Sequence, residues 1–136
     1  MAESINHIKL VSALVTWIAV EHFGGQKGSL LVDSPESILN AKPTEVAGFI
    51  PDVIGPGLPG GAVVVGEAKT TRDLENQHTR QQLEAYLRYC AARPGSIFVF
   101  AVPWHMTRYA RSLLKNVGRK CECEAVYTVV LEQLEG

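Results

Sequence analysis

Residues 48–71 read GFIPDVIGPGLPGGAVVVGEAKTT, two aliphatic runs joined by a connector rich in glycine and proline. The runs at 48–54 and 62–70 have the β-branched character of strands. GPGLPGG between them has turn chemistry, so the pattern predicts a β-hairpin. Three charges interrupt it: Asp52 after Ile50-Pro51, and Glu67 and Lys69 after Val63-Val64-Val65. Alternate residues of a strand share a face, so Val63, Val65, Glu67 and Lys69 point the same way. A symmetric turn centred in 56–61 brings Asp52 opposite positions 65 to 67; a centre between two residues puts it on the face of Glu67, whereas a centre on a residue or a bulge at Pro51 does not. In the former case two carboxylates and an ammonium group converge at the rim of a valine-lined face.

Facing carboxylates repel and raise one another's pKa unless a cation lies between them. Hard divalent ions such as Mg²⁺ take oxygen ligands, commonly one or two carboxylates with waters and phosphate oxygens. A protonated lysine cannot join that ligand set, but it can hold a water or balance charge on a phosphate under attack. The spacing therefore fits metal-assisted phosphodiester hydrolysis. Taken alone it fits equally a structural Asp52 beside a Glu67–Lys69 surface pair.

Outward from the hairpin, residues 4–23 read as a helix capped by Ser4 and stopped by Gly24-Gly25, with Ile8, Val11, Leu14 and Ile18 at helical spacing. Residues 29–33 are a short strand before the turn SPES, and 36–47 are left between a helical turn and a loop. Strong helix formers fill 73–92, with Asp73 at the start and Arg93-Pro94-Gly95 at the end. SIFVFAVP at 96–103 is nearly unbroken apolar sequence, as in a central strand covered on both faces. A helix over 105–117 ended by Gly118 and a last strand within 121–134 complete the order α-β-β-β-α-β-α-β. A hairpin-rich half followed by strand-helix-strand implies an α/β fold with a mixed sheet between helices, as a single domain over 1–136.

Pro51-Asp52, fourteen residues, then Glu67-Ala68-Lys69 resembles the PD-(D/E)xK motif of the restriction-endonuclease-like nucleases. The elements around it are similar to that superfamily's αβββαβ core, over roughly residues 4–103. The resemblance implies Asp52 and Glu67 as ligands of Mg²⁺ (or Mn²⁺ in its place), with the Ala68 carbonyl a further ligand. It implies Lys69 as the group that orients the attacking water and stabilises the transition state. QLEAY, with Gln82 and Tyr86 four apart on one helix face, is similar to the Q-x-x-x-Y element of the RecB-like branch. That similarity implies Gln82 near the metal and Tyr86 packed there or touching DNA. Glu21 follows Leu14, Trp17 and Ile18 on what reads as the core side of the first helix, where an apolar setting is costly for a carboxylate unless it is paired or ligates a metal. Many members of the superfamily complete the site with a glutamate of this helix, so Glu21 joins the expected catalytic and metal-ligating set. Arg72, His78, Arg80 and Thr70 flank the site and are candidates for phosphate contacts. Thr71, Asp33 and His105 read as strand-end or helix-start residues.

The net charge of −1 is unevenly spread: residues 1–68 carry −4, 69–120 carry +7 and 121–136 carry −4. The basic middle block is compatible with a polyanion partner. Cys90, Cys121 and Cys123 are an odd set without zinc-site spacing, which points to a reducing compartment such as the cytoplasm. LVSALVTWIAV at 10–20 is too short to span a bilayer, so no membrane partner is expected. The leading expectation is a Mg²⁺-dependent nuclease acting on DNA, as a homodimer if both strands are cut. The competing one is a non-catalytic nucleic-acid-binding module on the same fold.

Overall fold

The computed structural model describes residues 5–33 and 41–133. The proposed Ser4 cap, the SPES turn, and residues 36–40 and 134 of the expected elements lie outside these. Helix α1 spans Ile5–His22, and strands β1 (Leu31–Val32), β2 (Val53–Gly55) and β3 (Val64–Ala68) follow. Helix α2 (Gln77–Ala91), β4 (Ile97–Pro103), α3 (Thr107–Lys120) and β5 (Tyr127–Gln133) complete the chain. The sheet has the order β1-β2-β3-β4-β5. β1, β2 and β3 pair antiparallel, while β3, β4 and β5 are parallel. The protein is thus α/β, with a five-stranded mixed sheet flanked by helices. Among the described residues no helix is long and apolar enough to cross a membrane.

Each face of the sheet buries its own apolar cluster. Leu10, Val11, Leu14 and Ile18 of α1 pack on Val53, Val64, Val99 and Ala101. Leu83, Tyr86 and Leu87 of α2 and Leu113 and Val117 of α3 pack on Val65, Phe98 and Phe100. β3 and β4 are buried along nearly their whole length, as the unbroken apolar runs predict for strands covered twice. A Cβ on Gly66 would approach Ile18 Cδ1 to 3.0 Å and Leu14 Cδ2 to 3.1 Å, so the missing side chain lets α1 sit close over β3.

The expected boundaries need correction. Of the run expected as a strand over 48–54 only Val53 and Ile54 are strand, because Val46 and Phe49 bond to each other across a turn of their own, and of 62–70 only Val64–Ala68 is strand. Helix α2 starts at Gln77 and not at Asp73: Asn76 is the cap, its Oδ1 accepting from Thr79 N at 2.7 Å, and Thr71–Asp73 form a separate 3-10 turn. Gly118 does not end α3, which continues to Lys120 with Gly118 buried against the backbone of Cys123. Residues 121–126 are a turn carrying Glu122 at φ 59, so the last strand begins only at Tyr127. Strand β1 is shorter than expected because Lys27–Ser29 coil into a 3-10 turn.

Candidate active site

The register of the hairpin decides where the charges fall. Val53 pairs with Gly66, Ile54 with Val65 and Gly55 with Val64, which extrapolates to Asp52 opposite Glu67. The turn is therefore centred between two residues; Glu67 lies on the α2 side of the sheet, and Asp52, just before β2, meets it at the rim. Asp52 is 6% exposed and Glu67 3%. They hold each other through the backbone: Asp52 N donates to Glu67 Oε1 at 3.2 Å, and Ala68 N donates to Asp52 Oδ2 at 2.8 Å. Lys69, two residues on and thus on the same face, brings Nζ to 3.5 Å from Glu67 Oε2. Its own N–H is anchored by Ala101 O of β4 at 3.0 Å.

The electrostatics are strained. Burial holds the Glu67 carboxyl well above the usual carboxylate range, and the Asp52 charge adds to this. The Lys69 ammonium and the Asp52 N–H pull the other way without cancelling it. The burial has a visible source, since Glu67 is registered beside Phe100, which stacks on Phe98 with centroids 6.0 Å apart. Tyr86, fully buried and tilted against Phe98, has its phenol pushed above its ordinary range by burial and then by the Glu67 and Asp52 charges. Tyr86 therefore lies within the field of both carboxylates. Gln82 is close enough to favour the ionised phenol slightly, yet no hydrogen bond of good geometry forms. Gln82 Oε1 and Tyr86 Oη are both buried without a partner, a condition native proteins rarely leave unanswered by water or an ion.

The other expected residues separate into near and far. Thr70 is half-buried directly after Lys69, and Thr71 and Arg72 are exposed in the turn that follows. His78 and Arg80 are exposed on the first turns of α2, where His78 packs edge-on against Phe49 with ring centroids 5.4 Å apart. Asp33 donates its N–H to Asp52 O and pairs through its carboxylate with Lys42 at 3.2 Å.

Glu21 is not brought to the carboxylates. It is exposed, on a groove with Lys9, Trp17, Val20 and Glu132. It lies fourteen residues from His7, about 21 Å along the helix axis. The residue that α1 does present to the site is His7, with Nε2 3.5 Å from Asp52 Oδ2. Sequence reasoning missed it, although His7, Val11, Leu14 and Ile18 share one helical stripe.

The donor set suits a hard cation. Each carboxylate keeps a second oxygen beyond the one bonded to a backbone N–H, and the unpartnered Gln82 oxygen is on the helix covering this face. Among the described residues there is no group of three or more His, Cys, Asp or Glu arranged to hold a metal. Two carboxylates are the complement Mg²⁺ commonly takes from protein. Comparison of the chain with family models, with curated proteins and with solved structures gives no match.

Proposed function

We propose that this protein is a Mg²⁺-dependent nuclease that hydrolyses phosphodiester bonds in DNA. The observation that carries the reading is the convergence of Asp52, Glu67 and Lys69 at one buried rim, on bonds of 2.8 to 3.5 Å. Burial next to a second carboxylate raises the Glu67 pKa, which disfavours the charged pair and suits a site that gains a cation. The order α-β-β-β-α-β, with the motif on the central hairpin, supports the likeness to the PD-(D/E)xK nucleases.

In this reading Asp52 and Glu67 hold the ion, helped by the Ala68 carbonyl and Gln82 Oε1. Mg²⁺ supplies charge for the phosphate oxygens and a more acidic water. Lys69, 3.5 Å from Glu67, donates to the water that attacks phosphorus and balances the charge that builds on the phosphate. The water's oxygen bonds to phosphorus as the P–O bond to the leaving sugar oxygen breaks, with the water's proton passing to solvent and the sugar oxygen taking one up. A single site cuts one strand, so cleavage of a duplex calls for two copies, and we assign the working form as a homodimer. In this reading exposed Arg72, His78 and Arg80, with half-buried Thr70, meet the substrate backbone.

The test is cleavage of plasmid DNA with Mg²⁺ or Mn²⁺ by wild type, Lys69→Ala and Asp52→Ala. Loss of cleavage in both variants, with melting temperature retained, supports the reading. Equal cleavage by all three proteins would falsify it. DNA binding without metal-dependent cleavage would leave the binding module in its place.

A further inference from the structure

β4 ends at Pro103, and the chain leaves the rim through Trp104–Met106 before α3 begins. Trp104 is 55% exposed. One exposed aromatic side chain is ordinary on a protein surface, but this one sits on a rigid base. The Thr107 N–H and hydroxyl both donate to the Trp104 carbonyl, the hydroxyl at 2.8 Å. His105, its ring edge-on to the indole with centroids 5.7 Å apart, brings Nε2 to 3.2 Å from Thr71 Oγ1. That threonine is two residues beyond Lys69, so the turn bearing Trp104 is tied to the segment leaving the candidate site.

Helix α3 starts three residues later and carries Arg108, Arg111, Lys115, Arg119 and Lys120, all exposed, with no acidic residue. The first four are spaced three, four and four apart. They form one stripe about 16 Å long that begins beside Trp104 and runs away from the rim.

We propose that Trp104 is a stacking platform for an unpaired base, and that the α3 stripe carries the phosphates of the strand leading from it. The substrate is then DNA with a single-stranded stretch beside the bond to be cut. The physics selects for this. Bases within a duplex already stack on one another and cannot be offered to a lone indole, whereas a single strand can offer any base. The cations are blind to sequence and hold the backbone. The link to cleavage rests on the nuclease reading; the binding itself does not.

The experiment measures binding of a fluorescein-labelled 20-nucleotide single strand and of its duplex to the full-length protein, by anisotropy, with EDTA present to prevent cutting. Wild type binds the single strand more tightly. Trp104→Ala loses roughly 5- to 100-fold on the single strand and little on the duplex, at an unchanged melting temperature, and Trp104→Phe retains most of the affinity. In a Trp17→Phe background, emission from Trp104 is quenched as unlabelled single strand is added. Arg111→Gln and Lys115→Gln each flatten the salt dependence by about 0.7 in log–log slope.

Unchanged single-strand affinity in Trp104→Ala, unquenched Trp104 emission, or no binding to either oligonucleotide overturns the proposal. Quenching and single-strand preference in a protein that never cuts in Mg²⁺ uphold it and remove only the nuclease reading. Mg²⁺-dependent cutting that is indifferent to Trp104 and to strandedness does the reverse.

Discussion

Among the described residues, the buried cysteines and the buried carboxylates are held on different terms. Cys90, Cys121 and Cys123 are free thiols in the apolar layer between the sheet and the α2–α3 pair. Burial pushes Cys90 up to about 12, and burial with the neighbouring Cys123 pushes Cys121 up to about 11. At neutral pH Cys90 and Cys121 therefore keep their protons, and all three cysteines pack as small hydrophobic residues. Asp52 and Glu67 have no such simple escape. They are buried face to face, with Glu67 raised yet still engaged by the Lys69 ammonium and a backbone N–H. The thiols are packed in an apolar layer; the carboxylates hold electrostatic conflict that a cation would relieve. We assign chemistry to the second for that reason.

The sharpest way to break this contrast is to remove one member of each group. Lys69→Ala and Asp52→Ala should lower Mg²⁺-dependent cleavage by about 100-fold or more, the scale of losing one group that stabilises transition-state charge. Cys90→Ala should leave cleavage unchanged when assayed well below its melting temperature, while that temperature falls because a packed side chain is cut back. If the cysteine variant loses cleavage while folded, the thiols are not mere packing and the contrast fails.

The next largest effect is on stability and depends on pH. A carboxyl whose folded pKa lies above its unfolded value of 4.5 binds more protons in the folded state over the interval between the two. Its stabilising share is whole below the unfolded pKa and is lost as pH rises through the folded one. Glu67→Gln removes that titration. In EDTA, the melting temperature of Glu67→Gln minus that of wild type should grow between pH 5 and pH 8. Mg²⁺ should stabilise wild type increasingly over the same range and the variant little, since ligand binding stabilises only the state that binds. A difference flat with pH would mean that Glu67 is not held in conflict at all.

A smaller effect separates Gln82 Oε1 from Tyr86 Oη, both buried without a partner. Tyr86→Phe deletes a buried hydroxyl that bonds to nothing in the protein, so thermal stability should hold or rise. Gln82→Ala trades an unpartnered amide oxygen for a cavity and should lower the melting temperature. If Gln82 completes the ion's surroundings, it should also raise the Mg²⁺ concentration needed for half-maximal cleavage. Equal Mg²⁺ requirement in wild type and Gln82→Ala would confine that residue to packing.

The hairpin explains why so much of this site was legible in sequence. A strand has a period of two, so aliphatic runs and two glycine–proline clusters were enough to bring Asp52 opposite positions 65 to 67; which of these it faces depends on the turn's centre, and that is given only by the pairing of Val53 with Gly66. The helices were less legible. Asp73 and Asn76 have equal claims to cap α2 by residue type, and only the 3-10 turn at 71–73 selects the asparagine. Gly118 has the look of a terminator, but α3 runs through it to Lys120, and its carbonyl accepts from Cys123 N at 2.7 Å. The cysteine-bearing segment 121–126 alternates like a strand and is a turn, which takes Glu122 through φ 59.

Helical periodicity also reports which face a residue occupies while saying little about its height along the axis, and this is where Glu21 and His7 part. Glu21 occupies the exposed far end of α1, and His7 sits at the rim, 3.5 Å from Asp52. Glu21→Gln should leave cleavage as in wild type and change stability by no more than about 0.5 kcal/mol. His7→Ala should lower cleavage only about two- to fivefold, in keeping with the loss of one partly exposed polar contact. His7→Gln, which keeps a side-chain donor, should recover most of that loss, and His7→Phe, which keeps only a ring, should not. Equal loss in all three variants would confine His7 to packing, and the site would then be a property of the hairpin rather than of the hairpin and α1 together.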